Sequence, residues 1–208
     1  GVFAYFAKDL PSPGKVNNRF IAESTKIFDR TGEHLLYEVH GEEKRTIIPF
    51  SEMPETVRAA TITLEDQDFY THHGIKLSSI VRAVFKDFIG GGAQQGGSTI
   101  TQQFVKNSLL TPEKTFTRKI KEAILSVEME QKFSKDEILA MYLNEIPYGS
   151  NAYGLEAAAQ TFFGKNAKDL TLDEAALLAS LPNAPTYYCP YGSHLEELKA
   201  RQAKALAT

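Results

Sequence analysis

Hydrophobic residues recur every three or four positions along much of the chain after Pro54, and this spacing predicts a series of amphipathic helices. The first helix follows Pro54, which suits a first turn because proline has no N–H to leave unpaired. Val57, Ala60 and Leu64 share one face of this helix. The segment therefore delivers Glu65 at the C-terminal end of a helix.

The same spacing predicts further helices downstream. One follows Ser78 or Ser79, a second has Ser98 as its N-cap, and others cover 118–128, 138–144, 155–163, 175–181 and 195–207. Two of them begin at capping boxes, at 134–137 and 171–174, where a hydroxyl and an acid three residues later can each bond the other's backbone. Residues 111–117 are predicted as a loop and Pro147–Gly149 as a turn.

The pattern before residue 50 is different. Residues 25–40 alternate weakly between apolar and polar, with turn-forming residues at 29–32, which predicts a β-hairpin. Residues 1–20 have the composition of a linker. We therefore predict a mainly α fold with a short N-terminal β-hairpin, in a single domain over 1–208 whose linker and hairpin arm occupy 1–50.

Composition and charge narrow the class of protein. The chain is 42% hydrophobic and 24% charged, as globular proteins usually are. A formal net charge of −3 does not favour nucleic acid as a partner, and the single cysteine, Cys189, excludes an intrachain disulfide. No apolar run approaches the roughly 20 residues that span a bilayer. The chain opens at Gly1 without a signal-peptide pattern, so we expect it to be a piece of a longer protein whose membrane anchor lies elsewhere.

Acidic residues follow the first helix directly, at Glu65, Asp66 and Asp68. The helix dipole disfavours negative charge there, by about 0.3–1 kcal/mol, so we interpret Glu65 as a candidate catalytic base rather than an ordinary exposed residue. His72 and His73 are adjacent and point apart, which favours a loop-shaping histidine over structural zinc. A divalent cation between Asp66 and Asp68 is a weaker alternative.

A basic cluster opens a later helix. Arg118 and Lys119 stand in its first turn, where positive charge is unfavourable, and Glu122 lies three or four positions further on, so the three side chains can converge. Local rules are broken most often at functional sites. A structural salt bridge and a catalytic role for Glu122 both remain open, although acid/base work on sugars commonly uses carboxylate pairs such as Glu65 and Glu122.

A polar face begins at Ser98. In a helix that starts there, Thr99, Gln102, Gln103 and Lys106 fall on one side. A cationic, polar face at a helix N-terminus is a natural site for an anion.

Five segments, in this order, resemble the motifs of the peptidoglycan glycosyltransferases, the domain of class A penicillin-binding proteins and their monofunctional relatives. They are EDQDFYTHHG (65–74), GGSTITQQ (96–103), RKIKE (118–122), YLNEIPYG (142–149) and LDEAALLA with the prolines that follow it (172–185). One departure is Pro147, where an aromatic residue is more usual. The resemblance thus predicts that residues 51–190 are the motif-bearing catalytic region.

The resemblance implies a lysozyme-like large lobe with a small membrane-facing lobe. It also implies a reaction, the polymerisation of lipid II into β-1,4-linked glycan strands with release of undecaprenyl pyrophosphate. Glu65 would be the general base for the acceptor's 4-hydroxyl, in a single inverting displacement. Asp66 is grouped with the substrate-binding residues.

The leaving pyrophosphate needs fixed cations, for which Lys119 and Arg118 are the candidates. Lys106 and the polar face, with Ser98, Thr99, Gln102 and Gln103, would help to seat phosphates. Glu122 would either hold the two cations or touch the donor sugar. Mg²⁺ or Mn²⁺ is compatible with pyrophosphate chemistry, although the sequence shows no ligand set for it, and we expect no protein-held metal site.

The partners implied are lipid II, the lipid-linked glycan chain and a membrane surface. Phe85, Phe88 and Ile89 are the candidate membrane contacts. The resemblance also implies a transpeptidase domain in the full-length chain, and a location at the extracytoplasmic (periplasmic) face of the plasma membrane. Nucleic acid is not expected as a partner.

Two alternatives belong to other classes of protein. A lysozyme-like hydrolase would cleave glycan, but cleavage of a neutral glycosidic bond needs no cationic face such as that of Lys106 and Lys119. A non-catalytic scaffold or lipid-carrier-binding module would not need both Glu65 and Glu122.

Overall fold

The computed structural model of this chain describes residues 25–28, 35–39, 44–76, 97–110 and 115–207. Several sequence predictions lie outside these residues. They are the linker at 1–20, the turn at 29–32, the helix after Ser78 or Ser79, and the candidate membrane contacts Phe85, Phe88 and Ile89.

The described part of the chain is mainly helical, which confirms the predicted mainly α class. Its helices are α1 (Glu55–Glu65), α2 (Ile100–Ser108), α3 (Phe116–Lys132), α4 (Lys135–Glu145), α5 (Leu155–Phe163), α6 (Leu172–Ser180) and α7 (Leu195–Leu206). Its strands are β1 (Thr25–Phe28), β2 (Leu35–Val39), β3 (Lys44–Arg45), β4 (Pro147–Gly149) and β5 (Ala152–Tyr153). No helix among these is long and apolar enough to cross a membrane.

The strands form two small sheets. β1 and β2 pair antiparallel, with Thr25 opposite Val39. In the second sheet the order is β3–β5–β4, with β3 parallel to β5 and β4 antiparallel to it.

The described residues divide into two compact units. The first, Glu65–Tyr142, contains α2, α3 and most of α4. The second contains the described residues up to Leu64 and those from Leu143 onward, and thus the strands, most of α1, and α5 to α7.

The core of the first unit lies between α2 and α3, which pack together. Ile100 and Phe104, one turn apart on α2, are at most 2% exposed, and Ile124 and Leu125 of α3 at most 1%. The period-3.6 spacing of apolar residues therefore sets which faces meet.

The loop after α1 is fastened to this core. Phe69 is fully buried, and Gly74 lies so close to α3 that a Cβ atom there would be 2.6 Å from the carbonyl oxygen of Ser126. Gly74 also has φ +86°, a conformation that favours glycine. The loop that carries the acidic cluster is thus held against α3 at two points.

In the second unit α6 packs on α7, and small buried residues such as Ala175, Ala176 and Ala179 let helices approach closely. Asn144 fastens the segment that precedes α1: its Oδ1 accepts from the N–H of Ile48 at 3.1 Å, and its Nδ2 donates to the Ile48 carbonyl at 2.9 Å.

Three local predictions were wrong. The N-cap of α2 is Thr99, not Ser98, since the Thr99 side chain accepts from the N–H of Gln102 and completes a capping box. The N-cap of α3 is Thr115, so Phe116 and Thr117 belong to the helix rather than to a loop. Both errors have one cause: several hydroxyl residues precede each helix, and any of them can cap it.

The third error concerns Pro147–Gly149, which is strand β4 instead of a turn. The turn comes just after it, where Ser150 and Asn151 have φ of 51° and 57°. Tyr148 is 1% exposed, so this strand carries a large core side chain. The capping boxes at 134–137 and 171–174 are confirmed.

Candidate active site

Glu65 is the last residue of α1, and its carboxylate meets α2. Its Oε2 accepts a hydrogen bond from Nε2 of Gln103 at 2.8 Å. The amide oxygen of Gln103 in turn accepts from the Tyr142 hydroxyl at 3.2 Å. A carboxylate can only accept, so the NH₂ group of Gln103 must face Glu65, and its carbonyl oxygen faces the Tyr142 hydroxyl. These two bonds determine the orientation of the Gln103 amide. Glu65 itself is half-buried.

Asp66, the next residue, is buried completely. Its Oδ2 accepts from Nε2 of His72 at 2.8 Å and from the N–H of Ile100 at 3.0 Å, and its Oδ1 lies 2.7 Å from Nζ of Lys76. Burial opposes the charged form, but the bonds from His72, Lys76 and the Ile100 N–H outweigh it and lower the pKa of the Asp66 carboxyl. Asp66 therefore joins the acidic loop to the first N–H of α2.

His72 acts as a connector in this loop. Its Nδ1 accepts from the N–H of Gly74 at 3.2 Å, which leaves Nε2 to donate to Asp66. Within the described ranges there is no group of three His, Cys, Asp or Glu side chains placed to hold a metal ion. The loop-shaping interpretation of His72 fits this geometry.

Lys76 occupies the place considered for a divalent cation. Its ammonium lies 2.7 Å from Asp66 and 3.1 Å from Asp68. The two carboxylates thus share a lysine in this structure, and a divalent cation between them stays a prediction. The pairing raises the pKa of Lys76, against the opposing effect of its partial burial.

The polar face predicted on α2 is split by the structure. Thr99 and Gln102 are buried in the capping box, where the N–H of Thr99 donates to Oε1 of Gln102 at 2.9 Å. The Thr99 hydroxyl also donates to the carbonyl of Gly74 at 2.6 Å. These two residues thus hold the helix and the acidic loop together. Gln103 turns to Glu65, and the side chain of Lys106, in the last turn, is exposed.

The basic cluster converges at the start of α3. Glu122 is 1% exposed and lies beneath two cations: it pairs with the ammonium of Lys119, and its Oε2 is 3.7 Å from Nη1 of Arg118. The Lys119 side chain is 47% exposed, and its ammonium also donates to Oγ of Ser98 at 2.9 Å. A buried carboxylate beneath an exposed lysine and a partly buried arginine makes a fixed positive surface.

α2 is the element that links these parts. Ser98, just before it, touches Lys119, its first N–H is held by Asp66, and Gln103 holds Glu65. The structure thus joins eight of the ten predicted site residues in three groups: Glu65 with Gln103, Thr99 with Gln102, and Ser98 with Lys119, Glu122 and Arg118. Asp66 holds the first N–H of α2, and Lys106 lies in the last turn of that helix. Sequence reasoning missed Lys76 and Tyr142, because their partners are distant or lie across a loop and no periodicity marks them.

The sequence model of the family described as Transglycosylase matches residues 32–208. The chain is 47% identical over 169 residues to penicillin-binding protein 1F of Bacillus subtilis, covering 80% of this chain and 23% of that relative. It is 46% identical over 184 residues to penicillin-binding protein 1A of Aquifex aeolicus, covering 88% and 25%. A crystal structure of penicillin-binding protein 1A from Haemophilus influenzae, 24% identical, covers 89% of this chain and 18% of that one, with a TM-score of 0.45.

The chain belongs to the transglycosylase family. This confirms the resemblance that the five motifs indicated, to the glycosyltransferase domain of class A penicillin-binding proteins. The chain spans about a quarter of the length of these curated relatives.

Proposed function

We propose that this chain polymerises lipid II into β-1,4-linked glycan strands and releases undecaprenyl pyrophosphate. One observation supports the proposal most strongly: α2 and the residue before its N-cap contact both an oriented carboxylate and a fixed cationic surface. Gln103 of α2 orients Glu65, while Ser98 just before α2 contacts Lys119. Glycosyl transfer from a pyrophosphate needs both, a base for the incoming hydroxyl and cations for the departing anion.

Glu65 is the general base in this mechanism. The acceptor's 4-hydroxyl oxygen attacks the anomeric carbon of the donor while its proton passes to the Glu65 carboxylate. The carbon–oxygen bond to the pyrophosphate breaks on the opposite face, and the bonding pair leaves with the pyrophosphate. One such displacement turns an α linkage into a β linkage. The bond from Gln103 supports this role because a base must be aimed at the proton it takes.

Lys119 and Arg118 stabilise the departing pyrophosphate. Their charges are held in place before the reaction, so no reorganisation is needed as negative charge builds on the leaving group. Glu122, buried beneath both cations, fits the role of holding them better than direct contact with the donor sugar. Lys106, further along α2, would contact phosphate from its exposed position.

No step of this mechanism runs through a metal ion. The described residues offer no cluster of three ligands, and Asp66 and Asp68 are engaged by Lys76. Mg²⁺ or Mn²⁺ carried by the substrate's pyrophosphate stays a prediction. It fails if chelation with EDTA leaves the polymerisation rate unchanged.

The cellular setting belongs to the same proposal. The lipid tail of the substrate stays in the bilayer, so the enzyme works at the extracytoplasmic (periplasmic) face of the plasma membrane. A lysozyme-like large lobe carries the site, a small lobe with Phe85, Phe88 and Ile89 faces the membrane, and β1 with β2 forms an N-terminal hairpin arm. The full-length chain would add a transpeptidase domain, as the resemblance to class A penicillin-binding proteins implies.

Incubation with labelled lipid II tests the proposal. We expect long glycan polymer and released undecaprenyl pyrophosphate. A lysozyme-like hydrolase would instead shorten preformed glycan strands, and a lipid-carrier-binding module would bind lipid II without converting it. Either of these results would refute the proposed function.

A further inference from the structure

Glu130 of α3 is a buried carboxylate that the proposed mechanism does not use. Its side chain is 4% exposed. Its Oε1 accepts a hydrogen bond from the Thr101 hydroxyl at 2.6 Å, and its Oε2 lies 2.7 Å from the ammonium of Lys135. Burial of a carboxylate is costly unless it is paired on all sides. The contacts of Glu130 therefore indicate what this buried carboxylate holds together.

The partners of Glu130 come from two other helices of the first unit: Thr101 lies in the first turn of α2, and Lys135 begins α4. Lys135 in turn reaches the loop after α1, where its ammonium lies 3.5 Å from Nδ1 of His72. The ammonium of Lys135 also lies 4.7 Å from the centre of the Phe69 ring. Glu130 is thus the point at which α3 joins α2 and α4 directly, and the acidic loop through Lys135.

Glu130 and Asp66 hold the same turn of α2. Asp66 accepts from the N–H of Ile100, and Glu130 accepts from the hydroxyl of the next residue. Two positions further along the helix, the amide of Gln103 holds Glu65. Because a helix moves as a rigid element, a displacement of its first turn also displaces that amide.

We propose that Glu130 is a positioning residue: through Thr101 it fixes the first turn of α2, and thereby the orientation of Gln103 against Glu65. This inference rests on the proposed function, since the orientation affects the rate only if Glu65 is the base. Glu130 touches no reacting group. Its loss therefore lowers kcat and leaves KM for lipid II nearly unchanged.

Glu130→Gln in the full-length enzyme tests this with labelled lipid II. The amide keeps the shape of the side chain, but it bonds Thr101 without the assistance of charge and no longer pairs with Lys135. We expect kcat to fall about tenfold or more, because small misplacements of a catalytic group are costly, while KM changes less than about twofold. The matched control is Glu128→Gln, a half-buried carboxylate on the same helix, which keeps wild-type kcat.

A double-mutant cycle distinguishes positioning from a general structural role. Thr101→Val removes only the hydroxyl that Glu130 holds. If Glu130 acts through Thr101, the two changes together lower kcat no further than the larger single effect. Independent effects that multiply would overturn the proposal.

Hydrogen exchange gives a readout that does not depend on turnover. In Glu130→Gln we expect amides in the first turn of α2 to exchange about fivefold faster or more, while those of α6 stay protected as in the wild type. Unchanged exchange in α2 and unchanged kcat would refute the inference. If the wild-type enzyme forms no polymer, the proposed function fails, and the exchange rates still decide whether Glu130 holds α2.

Discussion

At the scale of single residues, Asp66 is the buried charge that holds the acidic loop and α2 together. It is completely buried, and it receives bonds from an imidazole, an ammonium and the first N–H of α2. Its carboxyl has a pKa below the ordinary value of 3.8 despite the opposing effect of burial. The stabilisation is therefore present above that pH and is lost as the pH falls through the folded-state pKa.

Asp66→Asn tests this role. We expect it to lower the free energy of unfolding by about 3 kcal/mol at neutral pH, because a buried, paired charge is removed. The variant also loses part of the fall in stability below pH 3.8. Asp68→Asn is the control, since Asp68 pairs with the same Lys76 but is 69% exposed and contributes about 0–1 kcal/mol. Denaturant titrations at several pH values measure both, and equal losses in the two variants would contradict the assignment.

The sequence predicts contacts at this scale only where they are local. Arg118, Lys119 and Glu122 converge as expected, because helix geometry brings positions three and four apart together. The bond from Gln103 to Glu65 and the contact between Lys119 and Ser98 span long stretches of chain. Periodicity says which face a residue occupies but not which helix that face will meet.

At the scale of elements, α2 organises the site. It contacts the acidic loop through its capping box, its first N–H and the side chain of Gln103. Ser98, the residue before its N-cap, contacts the basic cluster. The cap was expected one residue too early, at Ser98, because two hydroxyl residues stand side by side and propensity does not distinguish them. The hydrogen bond from the Thr99 hydroxyl to Gly74 decides between them.

Thr99→Val and Ser98→Ala give opposite results under this account. Removal of the cap at Thr99 should lower the free energy of unfolding by about 1–2 kcal/mol. Ser98→Ala should leave stability within about 0.5 kcal/mol and should instead weaken donor binding, because Lys119 loses its bond to the Ser98 hydroxyl. Thermal unfolding and KM for lipid II measure the two effects. The account is wrong if Ser98→Ala is the more destabilising change.

At the scale of the whole molecule, the sequence alone was enough to predict the family. Each motif alone is short, but five in the correct order define the transglycosylase family, and the family match covers residues 32–208. The membrane contact, by contrast, was predicted from the apolar residues Phe85, Phe88 and Ile89, which lie outside the described part of the chain. It stays a prediction.

Liposome binding tests the membrane contact. The substitutions Phe85→Glu and Phe88→Glu should together weaken binding to anionic vesicles about tenfold, because apolar burial in the bilayer is lost. Leu172→Glu is the matched control, an apolar side chain in α6 that is 57% exposed and that the account does not place at the membrane. Equal binding by wild type and the Phe85/Phe88 variant would refute the contact.

The central claim is that Glu65 is the general base of glycan polymerisation. The most direct test is the polymerisation rate of Glu65→Gln with labelled lipid II, beside Glu55→Gln, an exposed carboxylate in the first turn of the same helix. We predict that Glu65→Gln lowers kcat by about a hundredfold or more and leaves the melting temperature unchanged, while Glu55→Gln retains wild-type activity. Near-normal polymerisation by a folded Glu65→Gln enzyme would contradict the account.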